Sequence, residues 1–270
     1  MFLLILVLAL ILALPCSACT LYSAAGEAVE GGGTLIVKNR DYRPQIQKIR
    51  KVRDGKYKYL GLFNQRSDGK WTLRSGVNEK GLAAVTAMAS CLPKAERQRG
   101  LRKTILSYVL KNCASVEEAL GAKERFFGPK FVMLADAKEI AIIEIGQDGQ
   151  YTIERKQNGT LAHTNYYLEP KFQNLNMRVG ESSKERYKRI TKLLDEGQKP
   201  YTLEQFYEFS QDKNAGSDNS IWRFGSDPKK SQTLASFVIS ISPEGKVKGI
   251  IKYRAKPHQQ GRERVFRVSV

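Results

Sequence analysis

The feature that most constrains this chain is the junction Pro15-Cys16-Ser17-Ala18-Cys19-Thr20. Ahead of it, residues 2–14 are an unbroken apolar run; behind it, charged and turn-forming residues take over. Cys16 and Ala18 fill the third and first places before Cys19, and both are small, which is the pattern a signal peptidase accepts. The run falls short of the about 20 apolar residues that a membrane helix needs. The sequence therefore predicts a cleaved signal peptide over residues 1–18 and export, to a periplasm or the medium. No Lys or Arg precedes the run, so the terminal amine alone supplies the positive charge such signals carry. An uncleaved anchor and a lipoprotein signal acylated at Cys19 or Cys16 are the alternatives, the second weakened by the absence of a Leu-x-small-Cys context. A cut after Ala18 would leave Cys19 as the first residue, with an α-amine and a thiol on one residue: a nucleophile that carries its own base.

The apolar run holds no charged side chain, so the whole formal charge of +18 belongs to residues 19–270. That balance suits contact with anionic envelope surfaces or acidic substrates. The positive residues are scattered, and no nucleic-acid motif is present, so no nucleic-acid partner is expected. Beyond the cut three cysteines remain, Cys19, Cys91 and Cys113, and an odd count leaves at least one free thiol. Cys91 and Cys113 could pair, or both could be small buried hydrophobes. The two histidines, His163 and His258, show no metal-ligand spacing, and no phosphate-cradling glycine loop occurs, so no metal or cofactor is expected.

Hydrophobic periodicity predicts strands over 20–25 and 34–37, the second running into Lys38-Asn39-Arg40-Asp41. A hairpin of these two would return Lys38 and Asp41 beside Cys19. Strands are predicted over 47–53 and 57–63 around Asp54-Gly55, over 70–74, and over 82–89 after a polar turn at 75–81. Helices are predicted over 101–111 and 115–125, then a meander over 131–135, 140–145 and 150–155. Residues 159–176 read as loop. Ser182 with Glu185, and Thr202 with Gln205, read as capping boxes of two further helices. Residues 211–232 read as a long polar lid, and 235–241, 246–253 and 264–268 as closing strands. Strands and paired helices in this order suit an α+β sandwich of two antiparallel sheets with helices outside, in one domain over 19–270.

Four motifs in this order resemble the cysteine branch of the N-terminal nucleophile hydrolases, which includes choloylglycine hydrolases, penicillin V acylases and penicillin-making acyl-transferases. Cys19-Thr20 follows a removable leader. Val37-Lys38-Asn39-Arg40-Asp41 is similar to the family's Gly-Arg-Asn-x-Asp strand end. Gly76-Val77-Asn78-Glu79-Lys80-Gly81-Leu82 is similar to its G-x-N-E-K-G-L turn. Thr164-Asn165 and then Ser183-Lys184-Glu185-Arg186 follow. The resemblance implies an αββα sandwich and hydrolysis of linear amides through a Cys19 thioester, with a small acylated amine as substrate. It also implies an acyltransferase of the same mechanism as an alternative, and assembly into homo-oligomers. A non-catalytic envelope lipoprotein, binding anionic surfaces by its charge, is the reading from a different class.

Within the resemblance, Cys19 is the nucleophile, Asp41 anchors its α-amine, Asn165 donates to the oxyanion and Arg186 lies near the site. Lys38 stands where the family has Arg, so it can supply charge to the thiolate but not a planar fork. Met88 occupies the place where bile-salt enzymes have a second oxyanion asparagine, so either a backbone N–H serves or the hole is built differently. Asn78 and Glu79 read as part of the turn, and His163 as structural or substrate-lining. Tyr22, Tyr166, Tyr167 and Trp222, with Phe224, are candidates to line an acyl pocket.

Overall fold

The computed structural model describes residues 18–98, 105–255 and 263–269. The apolar leader over residues 1–17 and the first turn predicted for the helix at 101–111 lie outside these residues. Two antiparallel sheets form the centre. One has the order β10-β1-β2-β11-β12-β13, built from β1 (Ala18–Ala25), β2 (Thr34–Tyr42), β10 (Gly159–His163), β11 (Gln232–Ile241), β12 (Val247–Arg254) and β13 (Glu263–Ser269). The other runs β3 through β9 in sequence order: β3 (Gln47–Val52), β4 (Tyr59–Gln65), β5 (Trp71–Asn78), β6 (Ala83–Met88), β7 (Lys130–Ala135), β8 (Ile140–Ile145) and β9 (Tyr151–Lys156).

Side chains alternate across a strand, so each sheet has two faces to bury. The inner faces meet in one core that includes Leu21, Ile36, Val85, Met133, Ile142, Phe237 and Ile251. The outer face of the seven-stranded sheet is covered by α2 (Ile105–Asn112) and α3 (Val116–Gly121), through Leu106, Val109, Leu110 and Val116. The outer face of the six-stranded sheet is covered by α4 (Glu181–Glu196) and α5 (Leu203–Ser210), through Ile190, Leu194 and Phe206 packed on Tyr22, Leu35 and Val37. The layers are therefore helix, sheet, sheet, helix, as the strand and helix order predicted. Short helices α1 (Lys94–Gln98) and α6 (Gly216–Asn219) complete the set among the described residues.

Several local expectations change. Residues 75–78 are strand rather than turn, because Asn78 closes a tighter loop. Its Oδ1 accepts from the N–H groups of Lys80 and Leu82, and its Nδ2 donates to the carbonyls of Leu110 and Cys113. Residues 159–163 are strand β10 rather than loop, paired with β1 from Leu21↔His163 to Ala25↔Gly159. The Ser182 and Glu185 capping box does not form. Gly180 is the N-cap of α4, while Ser182 lies inside the first turn and donates to the Asp218 carbonyl. The Thr202 and Gln205 box does form. Cys91 and Cys113 do not pair, since Cys91 sits between the sheets and Cys113 on the outer, helical side of the second sheet.

Residues 211–232 are pinned rather than free as a lid. Ile221 and Trp222 are buried. The Trp222 N–H donates to the Asp212 carbonyl, Asn39 Nδ2 donates to the carbonyls of Ser210 and Ile221, and the Arg223 N–H donates to Thr233 Oγ1.

Candidate active site at the head of the first strand

The hairpin of β1 and β2 sets the geometry. Its register pairs Ala18 with Asp41, Cys19 with Arg40, Thr20 with Asn39 and Leu21 with Lys38. Residues directly opposite share a face. Cys19, Leu21, Lys38 and Arg40 therefore point between the sheets, and Thr20, Tyr22, Asn39 and Asp41 point toward α4 and α5. Cys19 is 4% exposed and belongs to the inner core.

Strand β10 lies on the other side of β1 and hands the chain to Thr164-Asn165. Cys19 N–H donates to Asn165 Oδ1 at 2.6 Å, and Asn165 Nδ2 donates to the Met88 carbonyl at 2.9 Å. Arg186 Nη2 also reaches Asn165 Oδ1, at 3.3 Å. Donors at one end and an acceptor at the other fix which way the amide points. One hydrogen of Nδ2 is committed to Met88, so a single N–H of this amide is left for a reacting oxygen. Position 88 thus enters the site through its backbone carbonyl, which orients Asn165.

Arg186 comes from α4, whose buried residues Ser183, Arg186, Ile190 and Leu194 recur at helical spacing and face β1. Its Nη1 donates to the Cys19 carbonyl at 2.6 Å and to Thr20 Oγ1 at 2.8 Å. Its Nε stands 4.0 Å from Asp41 Oδ2, and Arg223 Nη1 stands 3.8 Å from the same oxygen. Thr233 Oγ1 donates to Asp41 Oδ1 at 2.7 Å, while Oδ2 accepts no hydrogen bond. Asp41 is fully buried, and burial pushes its carboxyl above the ordinary value against the pull of Arg186, Arg223 and Thr233.

On the inner face of β2 the charge is of one sign. Burial pulls Lys38 down to about 7, opposed by Cys19, and its Nζ donates to the Arg74 carbonyl at 2.7 Å. Burial likewise pulls Arg40 down to about 9, with Arg74 adding to the fall and Cys19 opposing it. Among the described residues, no group of three or more His, Cys, Asp or Glu side chains could hold a metal ion, and no helix is long and apolar enough to cross a membrane.

The structure thus gathers Cys19, Asn165, Arg186, Asp41 and Lys38 around one strand end. It does not gather the aromatic set. Tyr22 is on the outer face, donating its hydroxyl to the Phe206 carbonyl at 2.6 Å. Tyr167 is buried in the core, where it donates to the Ile145 carbonyl at 2.9 Å and packs on Phe131 and Phe172. Trp222 is buried on the outer side, with Lys252 at 4.3 Å and Arg254 at 5.6 Å from its ring centre. Tyr22 and Trp222 thus lie on the side of the sheet away from the thiol, and the Tyr167 hydroxyl is committed to a core carbonyl. Tyr166, next to Asn165 and half-buried against Tyr187, keeps a suitable place, and Phe224 is exposed beside Lys213. His163 is buried, with Nε2 2.8 Å from Glu144 Oε1, a core contact.

Arg40, Arg74 and Arg223 were missed by the sequence reading. Arg40 was legible, since period-two alternation puts it on the face of Lys38 and opposite Cys19. Arg74 and Arg223 arrive from distant segments and left no local signal.

Comparison with known proteins bears on the fold and the family. Residues 29–248 match the family described as acyl-coenzyme A:6-aminopenicillanic acid acyl-transferase. Among solved structures, the chain superposes on penicillin V acylase from Agrobacterium tumefaciens with a TM-score of 0.58 at 17% identity, covering 93% of this chain and 86% of that one. It superposes on a point mutant of conjugated bile acid hydrolase from Clostridium perfringens with a TM-score of 0.55 at 16% identity, covering 93% and 92%. A second variant of the same hydrolase gives 0.58 at 18% identity, with 93% and 92% covered. A search of curated proteins by sequence finds no match. The chain shares its αββα sandwich with these structures and, with a family match over most of its length, belongs to the acyl-coenzyme A:6-aminopenicillanic acid acyl-transferase family.

Proposed function

We propose that this chain is an exported amidase that cleaves linear amides, R–CO–NH–R′, through Cys19 after residues 1–18 are removed. The observation that carries the reading is the setting of Cys19. Its backbone nitrogen lies on Asn165 Oδ1, its carbonyl on Arg186, and its side chain on the face of Lys38 and Arg40. Removing Ala18 would turn that nitrogen into an α-amine. Asp41, directly across from Ala18 and with one carboxylate oxygen lacking a hydrogen donor, suits such an amine.

The chemistry follows from these positions. The α-amine, of ordinary pKa about 7.7–8.0, takes the thiol proton. The thiolate then attacks the carbonyl carbon, and the remaining N–H of Asn165 supports the oxygen as it gains charge. The amine returns the proton to the leaving nitrogen, the C–N bond breaks, and R′NH2 departs from a thioester. Water, deprotonated by the same amine, attacks the thioester, releasing the acid RCOOH and restoring the thiol. Positive charge from Lys38 favours the thiolate throughout.

Mass spectrometry of the exported protein should find a chain beginning at unmodified Cys19. Cys19→Ala should fold with an unchanged thermal transition and lose amide hydrolysis by at least about 10³-fold. An N-terminus elsewhere, or an active alanine variant, would refute the proposal. The description of the matching family favours a second reading, transfer of the acyl group to an amine instead of water. Assaying products with and without an added amine separates the two.

A further inference from the structure

The segment that carries Asn165 is neither strand nor helix. β10 ends at His163, and regular structure resumes only with the 3-10 turn Pro170–Leu175. Loops are the more mobile parts of a fold, yet an oxyanion donor must be held to within about 0.5 Å. A carboxylate from the opposite sheet supplies the hold.

Glu144 lies on β8, on the inner face it shares with Ile142, and is 2% exposed. Its Oε1 stands 2.8 Å from His163 Nε2 and accepts the Leu168 N–H at 2.8 Å. The Glu169 N–H lies 3.4 Å from each of the two carboxylate oxygens. One side chain therefore grips the backbone segment on both flanks of Asn165. His163 is 1% exposed, and its ring centre is 4.1 Å from that of Phe131, which sits directly across from Glu144 on β7. Inside the bracket, Thr164 Oγ1 donates to the Ser183 carbonyl at 3.1 Å, and the Asn165 carbonyl accepts the Cys91 N–H at 3.3 Å. Those contacts reach α4 and a neighbouring loop, whereas Glu144 ties the segment to a central strand.

Burying a carboxylate and an imidazole in this layer costs free energy, and apolar residues of similar volume often serve stability as well or better. The acyl chemistry described above uses neither group. What the pair adds is geometry. We infer that Glu144, with His163, is a positioning pair for the oxyanion: it brackets residues 164–167 so that the remaining N–H of Asn165 faces the carbonyl oxygen under attack at Cys19. This rests on the amidase reading for the oxyanion that Asn165 serves, while the bracket itself does not.

The pair acts through Asn165, so its loss should spare the thiol. Alkylation by iodoacetamide is a displacement at carbon that builds no oxyanion, and it reports on Cys19 separately. In the exported protein, Glu144→Met combined with His163→Leu should unfold at the wild-type urea concentration. Its kcat on N-acyl p-nitroanilides should fall by about 10²-fold with KM little changed. Its rate of Cys19 alkylation, followed by mass spectrometry, should stay within about twofold of the wild type. In an Asn165→Leu background the same two substitutions should cost about twofold or less, because residues that act as a unit are not additive. Glu144→Gln, which keeps an acceptor for the Leu168 N–H, should hold most of the activity. Should the double variant fail to fold, Glu144→Asp, which withdraws the carboxylate by one methylene, carries the same comparison of kcat with alkylation.

A folded variant with wild-type kcat overturns the positioning role, and so does a loss undiminished in the Asn165→Leu background. Equal falls in kcat and alkylation also overturn it, since they mark a general disturbance of the site. A wild type that neither cleaves N-acyl amides nor transfers their acyl group overturns the amidase reading instead. Hydrogen exchange then still decides the bracket: protection at Leu168 and Glu169 should be lost in the variant and kept in the sheets, and protection retained at both residues overturns it.

Discussion

The two faces of β2 solve the burial of charge in opposite ways. Toward the helices, Asp41 lies between Arg186 and Arg223 and accepts the Thr233 hydroxyl, so acid and base are buried together. Toward the second sheet, Lys38 and Arg40 are buried on neutral amides and carbonyls alone. Only a sheet's thickness separates the two sides. The first arrangement holds the end of the strand in place; the second leaves attraction unspent at the thiol. Paired charge thus lies on one side of the strand, and positive charge without an acidic partner lies on the other.

That division is broken most forcefully by removing the acid. Asp41→Ala leaves two arginines buried without their partner and should destabilise the fold by about 3–5 kcal/mol in urea unfolding. Arg40→Met, on the other side, removes an uncompensated charge and should leave the fold as stable or more stable. Equal losses from both would erase the distinction. Asn165→Leu comes next, removing the acceptor for the Cys19 nitrogen and the remaining amide donor, with an expected fall of about 10²–10³ in kcat.

A smaller effect concerns protonation. Lys38 is held at about 7, so the unfolded chain, with the lysine near 10.5, binds the extra proton between those values. Its contribution to unfolding free energy therefore rises with pH across that window. The charge it lends the thiolate is present below about pH 7 and lost above it. The kcat/KM profile should show an alkaline limb there, and Lys38→Arg, which keeps its charge, should move that limb upward. An unmoved limb would remove Lys38 from the chemistry. The smallest effect is Tyr22→Phe, which loses the hydroxyl bond to the Phe206 carbonyl. It should cost about 0.5–1.5 kcal/mol in stability with kcat/KM unchanged.

Tyr22 also marks the limit of what was legible. The layer order, the β1–β2 hairpin and the strand ends carrying Lys38 and Asp41 followed from periodicity, because each depends on neighbours a few residues apart. Residues 159–163 were too polar and too short to stand out as a strand until β1 supplied the partner. The Trp222 segment looked like a lid because its composition is polar. It is held instead by backbone carbonyls at Ile221 and Asp212, whose partners lie on β2 and within the segment itself. Tyr22, chosen for its chemistry alone, is misplaced for a simpler reason: an even number on β1 faces the helices, whatever its ring could do.

The bond between Ala18 and Cys19 has one further implication, for timing. Both residues are part of β1, both are 4% exposed, and Ala18 is already matched to Asp41 across the hairpin. A processing enzyme needs an extended, unpaired stretch to grip, and the finished sheet offers none at this place. Under the proposed removal of residues 1–18, trimming would have to come first, while the chain is still emerging, with the sheet then zipping shut over a terminus already made; a molecule that folded untrimmed would be sealed in its inactive form.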